Sequence, residues 1–188
     1  MRLHQIKVEL AGVRPSVWRR VLLSPEITLG KLHRVVQAVM GWEDSHAHAF
    51  VQDGRTYSDP RFELDGNVLD ERSVSLGEIL AEPGSRLIYE YDFSDDWKHE
   101  LLCEGFVGSD VEGPYAICTD GARACPPEDC GGPYAYNDLL GVLKNPKHED
   151  YADMRTWVGT CFDPEAFDAK ATTKRLSTIL RKSRKPTC

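Results

Sequence analysis

Residues 3–41 read LHQIKVELAGVRPSVWRRVLLSPEITLGKLHRVVQAVMG, and a change of hydrophobic period inside this stretch decides the fold. Ile6, Val8 and Leu10 alternate with Gln5, Lys7 and Glu9, and Val17, Val21 and Leu23 follow a Gly12–Pro15 turn. That is a β-hairpin pattern, because successive strand side chains point to opposite faces. From Thr28 the period becomes helical: Leu29, Leu32, Val35, Val36, Val39 and Met40 recur on one face, with Thr28 as N-cap and Gly41 where a left-handed C-cap belongs. A hairpin over 3–23 and a helix over 28–40 bury their apolar sides on each other.

Outward from there, HAHAFVQ (46–52) alternates again and puts His46, His48 and Phe50 on one strand face. Residues 53–67, rich in Gly, Asp and Pro, read as a long loop with at most one short strand. Leu76, Ile79 and Leu80 make one helical turn, stopped by Pro83 and Gly84. RLIYEYDF (86–93) and WKHELLCE (97–104) form a second hairpin around Ser94–Asp96. The order hairpin, helix, strand, hairpin predicts an α+β fold: a mixed sheet with a helix packed across it, β-grasp-like in arrangement. Residues 108–133 read as a Cys-bearing loop. Three helices are expected beyond it: one starting near Pro133, one over Glu149–Val158, and one capped by Asp163 with Pro164 first, running to about Leu180. The expected organisation is one α+β domain over 1–182, sheet-rich to 107 and helical from 134, with a loose basic tail at 183–188.

At 188 residues, 41% hydrophobic and 28% charged, the composition is that of a globular protein. No run approaches the roughly 18 apolar residues of a membrane span. The segment MRLHQIKVEL lacks a signal peptide's apolar stretch, so a cytoplasmic location is expected. The net charge of −7 is unevenly spread. The stretch Ala169–Cys188 holds seven Lys or Arg and no acid, leaving 16 basic against 30 acidic residues up to Asp168, a net of −14. A body so acidic repels polyanions, which argues against a nucleic-acid partner. The basic segment reads as a C-terminal helix docked by Leu176, Ile179 and Leu180.

Chemistry-bearing residues concentrate in C118-TDGARA-C125-PPED-C130-GGP, three thiols on a segment too rich in Gly and Pro for a helix. Zinc takes four Cys or His ligands in a tetrahedron. Here the spacing is not that of paired CxxC knuckles, so a fourth ligand must come from elsewhere, His99 or His46. The expectation is that Cys118, Cys125, Cys130 and His99 hold one Zn²⁺. Two other readings stand beside it: thiols packed as small hydrophobes, and a redox pair in which Cys125 resolves Cys130. His46 and His48, two apart on a strand, are placed to chelate one ion. Asp92, Asp95 and Asp96 lie across the hairpin from His99, close enough for acid–base work or to support a metal ligand. No GxGxxG, GxxxxGK[ST], HExxH or GxSxG element is present.

The strings WRRVLLSPEITLGKLHRVVQAVMGWEDSHAHAF, YEYDFSDDWKHEL, ARACPPEDCGGPYAY and FDPEAFD, in that order from about Ile6 to Asp168, resemble the plasmid pRiA4b ORF-3-like family. The resemblance implies an α+β fold and names no activity. Some members carry a resolvase label, but this chain has no catalytic serine with a supporting arginine cluster, so that activity is not carried over. The motifs fall on Trp42, His46 and His48, on Asp92, Asp95, Trp97 and His99, and on Cys118, Cys125, Pro126, Pro127, Cys130 and Gly131. In the hairpin turn Ser94 and Asp96 stand where the family pattern has Gly, and Asp is among the few residues that tolerate a positive φ. Two function classes follow. The first is a cytosolic binding or interaction module, its small-ligand or protein surface formed by Trp42, His46, His48, Asp92, Asp95, Trp97 and His99 and stiffened by a structural metal. The second is a metal-dependent hydrolase or nuclease-like enzyme using the His and Asp residues.

Overall fold

The computed structural model describes residues 2–110 and 116–182, the side chains of 179–182 excepted. Its elements are β1 (Arg2–Leu10), β2 (Trp18–Leu23), α1 (Leu29–Met40), β3 (His48–Gln52), β4 (Arg55–Ser58), β5 (Val68–Asp70) and α2 (Leu76–Ile79). They continue with β6 (Arg86–Tyr91), β7 (Trp97–Gly108), β8 (Ala116–Ala122), α3 (Gly132–Leu143), α4 (Tyr151–Val158) and α5 (Ala169–Lys182). The fold is α+β. Among the described residues the strands form one eight-stranded sheet, ordered β5-β4-β3-β6-β7-β1-β2-β8. No described helix is long and apolar enough to cross a membrane.

The two expected hairpins pair antiparallel, Ile6 opposite Val21 in one and Tyr89 opposite His99 in the other. β1 then lies antiparallel on β7, with Ile6 opposite Cys103. The pairing extends well beyond two hairpins, so the β-grasp likeness describes only the order of the first elements and not this sheet. Strand alternation buries Ile6, Val8, Leu10, Val21 and Leu23, while Gln5, Lys7, Glu9 and Arg20 stay partly exposed. Arg20 binds Glu104 on that polar side at 2.6 Å.

α1 covers the apolar face as its spacing requires: Leu29, Leu32, Val35, Val36 and Val39 are each no more than 1% exposed. Burying each such side chain stabilises the fold by roughly 1.5–3 kcal/mol. Gly41 closes α1 at φ 85°, its N–H donating to the Gln37 carbonyl. Thr28 stands at the N-cap without a side-chain cap hydrogen bond.

The structure corrects three expectations. The stretch 53–67 holds the one short strand expected, β4, with a 3₁₀ turn at Pro60–Phe62; what the sequence did not indicate is β5 just beyond it, the parallel partner of β4. Residues 108–133 are not all loop: AICTDGA forms β8 on the edge of β2. Asp120-Gly121 reads as a turn in sequence, yet a register shift at Arg20/Val21 absorbs it, and Gly121 is needed because a Cβ there would lie 2.7 Å from the Trp18 carbonyl. The third correction is α5, which starts at Ala169. Asp163 caps only a local turn, its Oδ1 accepting from the Glu165 N–H, whereas Asp168 Oδ1 accepts from the N–H groups of Lys170 and Ala171. Leu176 on α5 is fully buried, and Thr173 Oγ1 bridges the Cys118 N–H and C=O at 3.1 Å. The side chains of Ile179 and Leu180 and the segment 183–188 lie outside the described residues.

Candidate functional site

The polar centre of the molecule lies where α1 crosses β3 and β6. His33 and Gln37, one turn apart on α1, are both buried and converge on the Tyr89 hydroxyl. Gln37 Nε2–H donates to that oxygen at 2.9 Å, and the hydroxyl sits 2.8 Å from His33 Nδ1. With one lone pair of the hydroxyl taken by Gln37, its proton is free to donate to Nδ1, so His33 carries its own proton on Nε2. That Nε2–H donates to Asp44 Oδ1 at 2.8 Å. Burial holds the His33 imidazole below its ordinary pKa against the pull of Asp44, and burial also drives the Tyr89 phenol well above its ordinary value. Both groups are neutral as a result.

His48, the first residue of β3, lies flat on His33 with ring centroids 3.6 Å apart and planes within 5°. Its Nε2–H donates to Glu71 Oε2 at 2.7 Å, while Nδ1 is buried without a hydrogen-bond partner. Glu71 reaches it because Gly30 makes way: a Cβ at Gly30 would stand 2.8 Å from Glu71 Oε1. Asp44 is held at φ 60° by the turn after α1, where its N–H donates to Gln37 Oε1. One donor atom from each of His33, Asp44 and His48 lies within 4.8 Å of the other two. These side chains face a pocket of about 520 Å³ whose walls include Lys31, Arg34, Arg61 and Arg72. Arg61 is paired with Asp59 and Arg72 with Asp70. The side chains of Lys31 and Arg34 enter no ion pair among the described residues.

The structure separates residues that the sequence grouped. His46 precedes β3 and turns away from His48: its Nε2 is 3.0 Å from Asp129 Oδ1 and 3.7 Å from Asp92 Oδ2. The two histidines therefore do not chelate one ion. Asp92 and Asp96 both adopt the left-handed conformation that the hairpin turn requires, at φ 51° and 54°. Asp95 Oδ2 accepts from the Gly131 N–H at 3.0 Å. Trp42 stacks on Tyr91, contacts Trp97 and His99, and donates its indole N–H to the Pro126 carbonyl at 2.9 Å. Tyr91 donates to Glu128 at 2.6 Å. These motif residues pin the segment 126–132 onto the second hairpin, and Trp42 with Cys125, Pro126, Pro127 and Glu128 lines a pocket of about 880 Å³ that α5 closes with Arg175.

The four-ligand set Cys118, Cys125, Cys130 and His99 is not assembled. Among the described residues, no group of three metal-ligating side chains within 4.8 Å contains a cysteine. Cys118 points into the core from β8, Cys125 packs on Arg19 and Met40, and Cys130 lies by Asp95 and Gly132. Burial pushes the Cys125 and Cys130 thiols up to about 11, with Asp95 and Asp129 adding to the rise at Cys130, the reverse of what a redox thiol needs. His99 is fully buried against Trp42 and Tyr89, neither ring nitrogen in a well-formed hydrogen bond, and burial pushes its pKa down to about 3. Of the expected site, only His48 belongs to the convergent cluster. His33, Asp44 and Glu71 were missed; their one sequence signal was a histidine and a glutamine, one turn apart, inside the apolar stripe of α1.

Relatives share this framework. A protein from Sinorhizobium fredii named "Uncharacterized protein y4hQ" is 37% identical over 158 residues, covering 83% of this chain and 80% of the relative. The crystal structure of a protein of unknown function, MM3350 from Methanosarcina mazei Go1, superposes with a TM-score of 0.77 at 35% identity, over 90% of this chain and 96% of that one. The family profile described as "Plasmid pRiA4b ORF-3-like protein" matches residues 2–171, and the chain belongs to that family.

Proposed function

We propose that the protein is a binding module whose ligand site is the His33–His48 pocket, and that the ligand is a small molecule with an anionic group. One observation carries this: a recess of about 520 Å³ has a floor locked by hydrogen bonds and a rim bearing Lys31 and Arg34, two cations without an ion-pair partner among the described residues. A concave site with few convergent polar groups is how small ligands are held. The two rim cations stand out on an acidic body, so a small anion finds a local contact there while a nucleic acid meets the surrounding negative surface. A binding role fits better than hydrolysis, since His33 and His48 each end on a carboxylate, and the one hydroxyl on His33, that of Tyr89, is fully buried and held as the neutral phenol, no nucleophile. A cytoplasmic setting suits the five described cysteines, all free thiols.

The test is calorimetric titration of inorganic phosphate and of citrate into chelator-treated protein and into the double variant Lys31→Ala, Arg34→Ala. Both side chains are exposed, so the variant keeps its fold. At least a tenfold loss of anion affinity in the variant is expected. Wild-type protein that takes up neither anion would overturn the reading.

A further inference from the structure

We infer that His33, Asp44 and His48, with Glu71 orienting His48 from behind, form a binding site for one first-row divalent cation of the Zn²⁺ type. The inference uses the same pocket as the proposed function but does not depend on the anion. Ligand atoms at about 2.0–2.2 Å from a tetrahedral ion stand roughly 3.2–3.6 Å from one another. His33 Nε2 and Asp44 Oδ1, at 2.8 Å, stand a few tenths of an ångström closer than that, and one ligand atom from each of His33, Asp44 and His48 lies within 4.8 Å of the other two. The stacked rings, 3.6 Å apart, hold the two imidazoles at the spacing of neighbouring ligands. Because ring lone pairs lie in the ring planes, binding turns the two imidazoles out of their stack until both lone pairs meet on the ion.

Three features beyond spacing point the same way. Two imidazole nitrogens with one carboxylate and an open position are a donor set for a transition metal, whereas Ca²⁺ and Mg²⁺ take oxygen ligands. Asp44 and Glu71 together carry the charge that balances a dication. Behind His33, the Tyr89 hydroxyl braced by Gln37 supplies the outer hydrogen bond that orients a ligating imidazole. Coordination at His33 Nε2 moves that ring's proton to Nδ1. At His33 the new Nδ1–H donates to the Tyr89 oxygen, which has a second lone pair to receive it. At His48 the Nε2–H stays on Glu71, and the buried Nδ1, which has no hydrogen-bond partner, supplies the lone pair.

The test uses protein purified without a histidine tag, stripped with EDTA and held in phosphate-free buffer. ZnCl₂ is titrated by calorimetry, and Co²⁺ uptake is followed by visible absorption. One Zn²⁺ per chain and Co²⁺ ligand-field bands are expected, with affinity reduced at least tenfold in His48→Gln and in Asp44→Asn. The Asp44 side chain is half exposed, so Asp44→Asn reports even if His48→Gln fails to fold. His46→Gln, at the separate His46–Asp92–Asp129 group, is expected to bind as wild type does. No Zn²⁺ uptake by wild type, or wild-type affinity in Asp44→Asn, would sink the inference. Phosphate binding that depends on Lys31 and Arg34 would survive that result, so failure of the metal site and failure of the anion site are told apart.

Discussion

His33 and His48 lie face to face with ring centroids 3.6 Å apart, one the fifth residue of α1 and the other the first residue of β3. Each ring is fixed at its Nε2 edge by a different carboxylate, Asp44 from the α1–β3 turn and Glu71 from the residue after β5. Four chain segments therefore meet at one polar point under an apolar helix. Buried polar groups of this kind are costly unless satisfied, and the hydrogen bonds through Tyr89 and Gln37 satisfy nearly all of them.

Gly30→Ala probes this arrangement without touching a donor. The new methyl would stand 2.8 Å from Glu71 Oε1, the mobile end of a side chain, so Glu71 moves and the fold does not. Alanine in place of glycine in a helix gains roughly 0.5–1 kcal/mol. The melting temperature should hold or rise slightly while Zn²⁺ affinity falls about tenfold, a split that calorimetry and thermal melting on one sample will read. A drop in both would mean that Glu71 cannot yield.

His99 makes the fold acid-sensitive. Burial depresses its folded pKa to about 3, so between that value and the ordinary 6.5 the unfolded chain binds a proton that the folded chain refuses. Stability is then fully present above pH 6.5 and declines as pH falls toward 3, by at most about 1.4 kcal/mol per pH unit. His99→Leu, which also removes two unpartnered nitrogens, should lose about 1–2 kcal/mol less than wild type between pH 6.5 and 5. His4 and His33, also depressed by burial, act in the same direction in both proteins. Urea melts at the two pH values give the comparison, and parallel losses would clear His99 of the role.

Elements governed by a clean local period were legible in the sequence: both hairpins, α1 with its buried stripe, and the start of α3 at Pro133. β8 was not, because its Asp and Gly are poor strand formers and only pairing with β2 makes AICTDGA extended. The site was hidden for a related reason. His33, at a core position of α1, meets Tyr89 56 residues away, and His48 meets Glu71 23 residues away, and no local spacing encodes either meeting. His46 and His48 misled because a strand was assumed to start two residues early. The cysteines drew attention by their types, while burial in the core and against Arg19 decides their chemistry.

The turn that anchors the Cys segment should be intolerant of a side chain. Gly132 has φ 80°, and a Cβ there would fall 2.3 Å from the Asp95 carbonyl oxygen, which is backbone and cannot swing aside. Gly132→Ala should cost roughly 2–4 kcal/mol from left-handed strain plus overpacking. The companion Gly141→Ala, with nothing within 4 Å, should cost nothing measurable. Equal melting temperatures for the two variants would show that the Asp95–Gly131 contact is dispensable.

The basic C-terminal helix is predicted to serve stability and not nucleic-acid binding. Leu176 and Thr172 are buried, Thr173 is hydrogen-bonded to both backbone groups of Cys118, and the Arg175 guanidinium reaches the C-cap of α1 at Gly41. Leu176→Ala should therefore cost about 2–5 kcal/mol, as for other fully buried leucines. Truncation after Asp168 should lower the melting temperature further, because it uncovers the edge of β8 and the end of α1. The acidic body predicts that neither change alters affinity for duplex DNA, measured at 50 and 200 mM salt, since wild-type binding should already be negligible at both. A truncated protein with an unchanged melting temperature and a lost, salt-dependent DNA affinity would reverse this assignment and make the helix the nucleic-acid contact.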